Sequence, residues 1–194
     1  AAVNLGAKTL TMSGKGTFSN TNALVLNTTS SKLLLSNTTT VSSVSTSAPS
    51  QGVDVDESST ITSLAVGHKT PVSIAAGKTL SGGITVTAVT GGSSIKLGET
   101  GTLASTVSMS GGTLDANNNM TISGALSHSG NITIDVYSNK TLTYSGTAIN
   151  VGANTITLSG GGSLVSGGIT LNNAQSKLLL NSITLDSAST SANS

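Results

Sequence analysis

The chain has 194 residues, of which 36% are hydrophobic, 8% charged and 2% aromatic, with a formal net charge of +1. It contains no cysteine and no arginine, which excludes disulfides and cysteine-ligated metals and argues against nucleic acid as a partner, because phosphate binding needs a basic surface. No apolar run approaches the ~20 residues of a membrane span, so we expect no membrane insertion.

Taken in chain order, the first residues lack the basic start and apolar segment of a signal peptide, which predicts a mature or excised segment. From residue 8 onward, Thr and aliphatic residues alternate over short runs that end in Ser-Gly or Gly-Gly. Such alternation gives a strand one polar and one apolar face, and glycine permits sharp bends. Strand centres follow one another at about seven or eight residues, too close for intervening helices, so we predict an all-β chain. The clearest strands are Lys8–Met12, Lys140–Tyr144 and Asn154–Leu158.

The apolar centres of the best strand patterns are the candidates for the core. Side chains at such positions point to one face of a strand and stack on their neighbours. We expect the following to point inward: Leu10, Leu34, Leu142, Ile156 and Leu179.

Residues 42–60 interrupt the rhythm of strands. They contain Pro49 and the only acidic cluster of the chain, Asp54, Asp56 and Glu57, within a Ser-rich stretch. We predict a loop protruding at about 42–60, with a second turn at Gly67–Pro71. The low-complexity residues 186–194 predict a frayed tail.

Residues 147–185 are a degenerate copy of residues 2–41. Asn150–Gly162 aligns without a gap with Asn4–Gly16, and the sequence Ser-Lys-Leu-Leu-Leu at 31–35 returns at 176–180 after a slip of one residue. Repetition of this kind indicates a repetitive scaffold.

Two all-β architectures compete for such a sequence. A sandwich or barrel needs hairpins with longer strands and two-residue turns, whereas a β-solenoid uses short strands and stacks one coil on the next. Three strands per coil at this spacing take roughly the low twenties of residues, and coils can be duplicated without disturbing a closed core. We therefore predict a single domain, 1–194, folded as a parallel β-helix (β-solenoid) with Gly/Ser/Asn corners.

The acidic cluster is the first candidate site. Asp54, Asp56 and Glu57 could supply oxygens to calcium, which wants six or more, or a carboxylate pair for glycoside hydrolysis, which must face one cleft. Three acids within four residues of a Ser-rich stretch are more typical of a solvated turn. We therefore predict no metal site there.

The two histidines, His68 and His128, are the second candidate. Asp135 follows His128 and serine is abundant, so a Ser-His-Asp triad is conceivable, but no Gly-x-Ser-x-Gly motif is present. We predict that the chain is not an enzyme, with no catalytic residue, no metal site and no cofactor.

Lysine and asparagine recur at set places in the pattern. Lysines just before strand starts are typical of a guard against lateral sheet pairing, with a stripe that contacts anionic glycans as the alternative: Lys8, Lys32, Lys78, Lys140 and Lys177. Asn-x-Ser/Thr sequons leave glycosylation open: Asn27, Asn37, Asn119, Asn131 and Asn139.

Two resemblances bear on function. The Thr-x-Thr pairs Thr9/Thr11, Thr85/Thr87, Thr141/Thr143 and Thr155/Thr157 resemble the Thr arrays of ice-binding solenoids, although their spacing is irregular. The alternation of Gly, Thr, Asn and Leu in Asn154–Leu171 resembles the β-helical passenger regions of bacterial autotransporters and large secreted adhesins. That resemblance implies export, a rod-like body and adhesion or surface-layer roles, and it carries no catalytic residues.

These observations favour an extracellular or cell-surface structural protein, a filament subunit or adhesin stalk that self-associates head to tail. An uncapped solenoid exposes strand edges at both ends, and copied ends favour open-ended, heterologous assembly. The first alternative is a binding module for ice or surface glycans. The second is a carbohydrate-active β-helix enzyme, for which the sequence shows no paired acids and few aromatic residues.

Overall fold

The computed structural model describes residues 1–89 and 92–191 and shows a parallel β-solenoid of about nine coils, each of about 21 residues. The predicted fold class is therefore confirmed. None of the described residues lies in a helix of the length and apolarity that crossing a bilayer requires.

The strands are short, and most span two to five residues. In chain order they are β1 (Val3–Asn4), β2 (Thr9–Met12), β3 (Gly16–Phe18), β4 (Leu24–Leu26), β5 (Lys32–Leu35), β6 (Thr39–Thr46), β7 (Gly52–Val55), β8 (Ser59–Val66), β9 (Thr70–Ile74), β10 (Thr79–Val86), β11 (Ser94–Gly98), β12 (Thr102–Leu103), β13 (Thr106–Met109), β14 (Gly112–Ala116), β15 (Met120–Ile122), β16 (Leu126–His128), β17 (Ile132–Val136), β18 (Thr141–Tyr144), β19 (Ile149–Asn150), β20 (Thr155–Ser159), β21 (Ser163–Ser166), β22 (Ile169–Leu171), β23 (Lys177–Leu180), β24 (Thr184–Leu185) and β25 (Ala188–Thr190).

Each coil gives one strand to a nine-stranded sheet, sheet 1, and then one long or two short strands to the other sheets. Sheet 1 has the order β2-β5-β7-β9-β11-β14-β17-β20-β23, so we number coils 1 to 9 by these strands. Sheet 2 has thirteen strands and runs from β1 and β3 to β24, and sheet 3 has the order β19-β22-β25. Strand β1 is the last strand of an incomplete coil that precedes coil 1, because it pairs with β4.

The core consists of columns of aliphatic side chains that run along the stack. Parallel pairing in register places like positions directly over one another, so each inward side chain is buried by the coils above and below it. One column of sheet 1, buried throughout, consists of Leu33, Val53, Val72, Leu97, Ala116 and Val136.

Tyr144 is the one aromatic residue in the core of the described chain. Its hydroxyl donates to the Thr147 carbonyl at 2.7 Å and accepts from the Leu126 amide at 3.0 Å. Because both bonds are made, the buried polar end of the ring is satisfied.

Of the five predicted inward leucine and isoleucine positions, Leu142 and Ile156 are fully buried and Leu10 is partly buried against the core. The prediction was wrong for Leu34 and Leu179. Each is the middle residue of a Leu-Leu-Leu run and points outward. Three consecutive leucines carry no alternation of their own. The pairing of β5 with β2 places Leu33 over Leu10 and so decides which leucines face the core.

The prediction of a protruding loop at 42–60 was also wrong. Strands β6, β7 and β8 keep almost all of this segment within the stack. Val53 and Val55 point inward and are buried, while Asp54 points outward, 2.5 Å from Lys32 Nζ. Only short bends remain, one of them at 47–51 with Pro49. Asp54 does not interrupt the strand, because it takes the outward position between the inward residues Val53 and Val55.

The turn predicted at Gly67–Pro71 is shorter than expected, because Pro71 lies inside β9. The strand below accommodates it through Gly52, which has a φ of 81° and whose Cβ would collide with the Pro71 carbonyl. Glycine at this position therefore allows the close approach of the two coils.

The tail predicted to fray at 186–194 contains strand β25, which pairs with β22. Residues 188–190 are therefore ordered by main-chain pairing, although their side chains are exposed. Residues 192–194 lie outside the described residues.

The duplicated segments occupy equivalent places, seven coils apart. Gly6 and Gly152 have φ angles of 58° and 60°. The amide of Gly6 donates to Asn27 Oδ1 at 2.8 Å, and the amide of Gly152 donates to Asn172 Oδ1 at 2.8 Å. The same corner is therefore built twice.

The equivalence extends over the following strands. Ser31 Oγ donates to the Gly6 carbonyl at 2.6 Å, and Ser176 Oγ donates to the Gly152 carbonyl at 2.6 Å. In the first copy the second half of β6 pairs with β4, and in the second copy β25 pairs with β22 in the same way. In the structure, 149–190 thus repeats the path of 3–46, slightly further than the sequence alignment reached.

Candidate functional site

The outer faces of the first and last coils are the candidate interaction site. Six large hydrophobic side chains are exposed in the described part of the chain, and four of them belong to strands at the two ends. Val3 is 51% exposed and Phe18 41% exposed at the first end, and Leu179 and Leu180 are 37% and 53% exposed at the last. Exposed apolar residues that cluster rather than scatter indicate an interaction surface.

Within the part of the chain that the structure describes, the inward columns of sheet 1 end at both sides without a covering coil. Leu10 and Met12 begin them at the first end, where they are only partly buried against the core. Leu178 and Leu180 end them at the last. Each end therefore presents two aliphatic side chains on the same strand, spaced two residues apart.

The strand edges at these ends are also unpaired. Strand β2 pairs only with β5 and strand β23 only with β20 within the described chain. An open parallel edge offers main-chain donors and acceptors to another strand. The ends thus combine apolar side chains with unsatisfied main-chain groups.

A cluster of charged groups lies on the outer face of sheet 1 in coils 5 to 8. The register places Asp115 directly opposite Asp135 on the next strand, about 4.8 Å away by strand spacing. Lys96 lies opposite Asp115 on the other side, and Ser159 lies opposite Asp135. The four residues form one column across four coils.

Each carboxylate in this column has a partner within the chain. Ser159 Oγ donates to Asp135 Oδ1 at 2.5 Å. With its amide nitrogen toward Asp115, Asn117 donates to Asp115 Oδ1 at 2.6 Å and accepts from Lys96 Nζ at 2.9 Å. Burial raises the pKa of the Asp115 carboxyl, the Lys96 ammonium opposes that rise, and the neighbouring Asp135 adds to it.

Sequence reasoning missed the pairing of Asp115 with Asp135. The available signal was their separation of one coil, within the similar runs Thr113-Leu-Asp-Ala116 and Thr133-Ile-Asp-Val136. A carbohydrate-active enzyme needs two neighbouring carboxylates facing a cleft, and here the pair lies on the strand face of the stack and is engaged by Lys96, Asn117 and Ser159. We interpret the column as a contact that joins coils.

Two of the three acidic residues singled out from the sequence bind lysines of neighbouring coils. Asp54 forms an ion pair with Lys32, and Glu57 Oε2 lies 2.8 Å from Lys78 Nζ. Both pairs join consecutive coils on the surface, where ion pairs contribute little stability. Two of the five lysines noted above thus serve contacts between coils.

The two histidines lie three coils apart. His68 lies in the bend between β8 and β9, and His128 occupies an inward position of β16 next to Met109. His128 Nδ1 donates to the Gly130 carbonyl at 2.9 Å, and its Nε2 is buried without a hydrogen-bond partner. Within the described residues, no group of three or more His, Asp or Glu side chains is arranged to hold a metal ion.

Four of the five sequon asparagines use their side chains to bind an adjacent coil, and one of them is Asn37, whose Nδ2 donates to the Ser13 carbonyl at 3.1 Å. Asn27 does so at the Gly6 corner, Asn119 Oδ1 accepts from the Thr141 amide at 2.8 Å, and Asn131 Oδ1 accepts from the Thr155 amide at 2.8 Å. These bonds continue the main-chain ladder where the strands stop. Asparagine is therefore a structural residue of the corners.

The Thr-x-Thr pairs point outward but do not stack on one another. Thr9-Leu-Thr11 lies opposite Lys32-Leu-Leu34, and Thr155-Ile-Thr157 lies opposite Lys177-Leu-Leu179. A flat array with one such pair per coil is therefore not formed by these pairs.

A shallow groove of about 380 Å³ lies on sheet 2 over coils 1 to 4. Its walls are almost entirely hydroxyl-bearing: Lys15, Gly16, Thr17, Thr38, Thr39, Thr40, Ser58, Ser59, Thr60, Thr79 and Ser81. Hydroxyls and one ammonium group offer hydrogen bonds to a polar ligand. The groove is thus the second candidate site.

Comparison of the chain with protein-family models, with curated proteins and with solved structures finds no significant match.

Proposed function

We propose that this chain is an extracellular or cell-surface structural protein, a filament subunit or stalk segment that assembles end to end. The observation that carries the proposal is the concentration of exposed apolar side chains on the first and last coils, where the core columns stop. A second copy placed on either end would continue the columns and pair the open strands.

The energetics favour such an assembly. Each covered aliphatic side chain gains roughly 1.5–3 kcal/mol when it is fully removed from water, and the strand edges gain main-chain hydrogen bonds. The first and last ends are different surfaces, so the contact is heterologous and grows into an open filament unless it closes into a ring. A chain with 8% charged residues also has few charges to repel a second copy.

The test introduces a charge at one end. Leu180→Glu places a carboxylate on the last inward column, where a second copy would bury it, so assembly should be lost. Tyr137→Glu is the matched control, because Tyr137 is 48% exposed, close to the 53% of Leu180, but lies in a bend on the side of coil 7. Sedimentation velocity and negative-stain microscopy over a concentration series provide the measurement.

We expect fibres from the wild type and from Tyr137→Glu, and monomers from Leu180→Glu. A wild-type chain that remains monomeric at the highest attainable concentration would refute the proposal. Equal fibre formation by Leu180→Glu would refute it as well.

A second candidate function is binding of surface glycans in the hydroxyl-lined groove. The groove, with Lys15 at its rim, is the observation that favours it, since anionic sugars accept hydrogen bonds from ammonium and hydroxyl groups. Binding to a glycan array that is lost in Lys15→Ala would support this function. Binding that Lys15→Ala leaves unchanged would count against the groove.

A further inference from the structure

We propose that strand β1 of an incoming second copy displaces strand β25 of the chain on which it stacks, so that β25 restrains assembly. This inference rests on the end-to-end assembly proposed above. It names the partner, the register of the contact and the segment that controls it.

The order of strands along the chain creates a conflict at the junction. Within the chain, β19 is the last strand of coil 7 and lies one level below β22, while β20, which follows β19, begins coil 8. Strand β1 stands to β2 as β19 stands to β20. If β2 of a second copy stacks on β23, β1 of that copy must therefore enter at the level of coil 9, directly on β22.

That level is already occupied. Strand β25 pairs with β22 in the isolated chain, with Ala188 opposite Ile169 and Thr190 opposite Leu171. An incoming β1 would pair with the same strand and place Val3 over Ile169 and Leu5 over Leu171. Strand β25 and the incoming β1 therefore compete for the same edge of β22. A junction without a gap can pair only one of them with β22.

Side-chain chemistry favours the incoming strand. Val3 and Leu5 are larger and more apolar than Ala188 and Thr190, which occupy the corresponding inward positions of β25. Leu5 packs against the core of its own chain, and its amide donates to the Val25 carbonyl at 3.0 Å. The incoming strand thus covers Ile169 and Leu171 better than the tail does, which supports exchange.

The rest of the junction is in register once the exchange has occurred. Within the chain, Leu178 lies opposite Ile156 and Leu180 opposite Leu158, the equivalents of Leu10 and Met12. A junction that continues these inward columns brings Leu10 of the second copy opposite Leu178 and its Met12 opposite Leu180. The aliphatic columns then continue from one chain to the next. On sheet 2 the same continuation brings Phe18 of the second copy, which lies opposite Val41 in its own chain, over Leu185.

The experiment changes how strongly β25 pairs with β22 in the full chain. It leaves unchanged the inward residues of β2 and β23 that meet at the junction. Ala188→Val/Thr190→Leu gives the tail the apolar inward side chains that it lacks, so the critical concentration for assembly should rise by about tenfold or more. Ser191→Pro removes the donor of the 3.0 Å bond to the Leu171 carbonyl, so the critical concentration should fall. Ser189→Thr is the matched control, because Ser189 points outward from β25 and threonine keeps the hydroxyl that lies 3.2 Å from Thr170 Oγ1 on β22.

The readout is the critical concentration from sedimentation, with circular dichroism to establish that each variant is folded. A rise for the double variant, a fall for Ser191→Pro and no change for Ser189→Thr support the exchange. Fibres whose critical concentration is the same in all variants would overturn the exchange and leave the proposed function standing. If no variant and no wild-type sample assembles, both proposals fail.

Discussion

The sequence Ser-Lys-Leu-Leu-Leu occurs in coil 2 and again in coil 9, and its surroundings differ. Leu35 in coil 2 is 0% exposed, whereas its equivalent in coil 9, Leu180, is 53% exposed. Both lie on an equivalent strand below, but within the described residues only Leu35 is also covered from above, by β7 of coil 3. Burial in this fold is therefore set by the neighbouring coil and not by the segment itself.

Strands β2 and β20, which precede these leucine runs in the two copies, show the same dependence on the coil below. Leu10 in coil 1 is partly buried, whereas its equivalent Ile156 in coil 8 is fully buried by coil 7. The two copies thus form a natural control, since nearly the same strand is found with and without a neighbour. Paired substitutions at equivalent positions separate what a residue contributes by itself from what its neighbour adds.

The largest difference is expected at Gly14 and its equivalent Gly160. Gly160 has a φ of 104°, and its Cβ would collide with the Val136 carbonyl of the coil below, whereas a Cβ on Gly14 has nothing within 4 Å. Gly160→Ala should cost about 2–6 kcal/mol from backbone strain and overpacking, and Gly14→Ala should stay within about 0.5 kcal/mol. Chemical denaturation of both variants measures this, and equal costs would contradict the comparison.

A slightly smaller difference is expected for the leucines. Leu35→Ala leaves a cavity between coils and should lower the free energy of unfolding by about 2–5 kcal/mol. Leu180→Ala removes a half-exposed side chain and should change it by about 0.5 kcal/mol or less. Denaturation must be followed at concentrations where the chain is monomeric, because assembly would cover Leu180. A large loss for Leu180→Ala in the monomer would show that the last coil is buried in some other way.

The smallest difference is expected for the hydroxyls of Ser13 and Ser159. Ser159 Oγ donates to Asp135 on the coil below, so Ser159→Ala should cost about 1 kcal/mol, as expected for a partly exposed bond to a carboxylate. Ser13 lies in coil 1, below which the described chain has only strand β1, so Ser13→Ala should be neutral within about 0.5 kcal/mol. The same denaturation measurement applies. If Ser13→Ala were as costly as Ser159→Ala, the hydrogen bond to Asp135 could not be the cause.

The residue types at the corners, glycine and asparagine, could be predicted from the sequence, because a corner depends on the chemistry of a few neighbouring residues. Glycine at 6 and 152 and asparagine at 27 and 172 recur in the sequence at the same places of both copies, and the structure builds the same hydrogen bonds from them. The candidate interface was partly predictable as well. The duplication indicated that the two ends are related, but only the strand order showed that β1 and β25 would meet at one rung.

By itself, the sequence determined the all-β class, the short strands, the coil length and the duplication, because alternation and glycine placement act over a few residues. Tertiary structure decided which leucines of a Leu-Leu-Leu run face the core, that residues 42–60 remain in the stack, and that Asp115 meets Asp135. These features depend on the register of one coil on the next, over separations of about 20 residues. In a stack, a side chain becomes buried, paired or exposed only when the coil that covers it is in place.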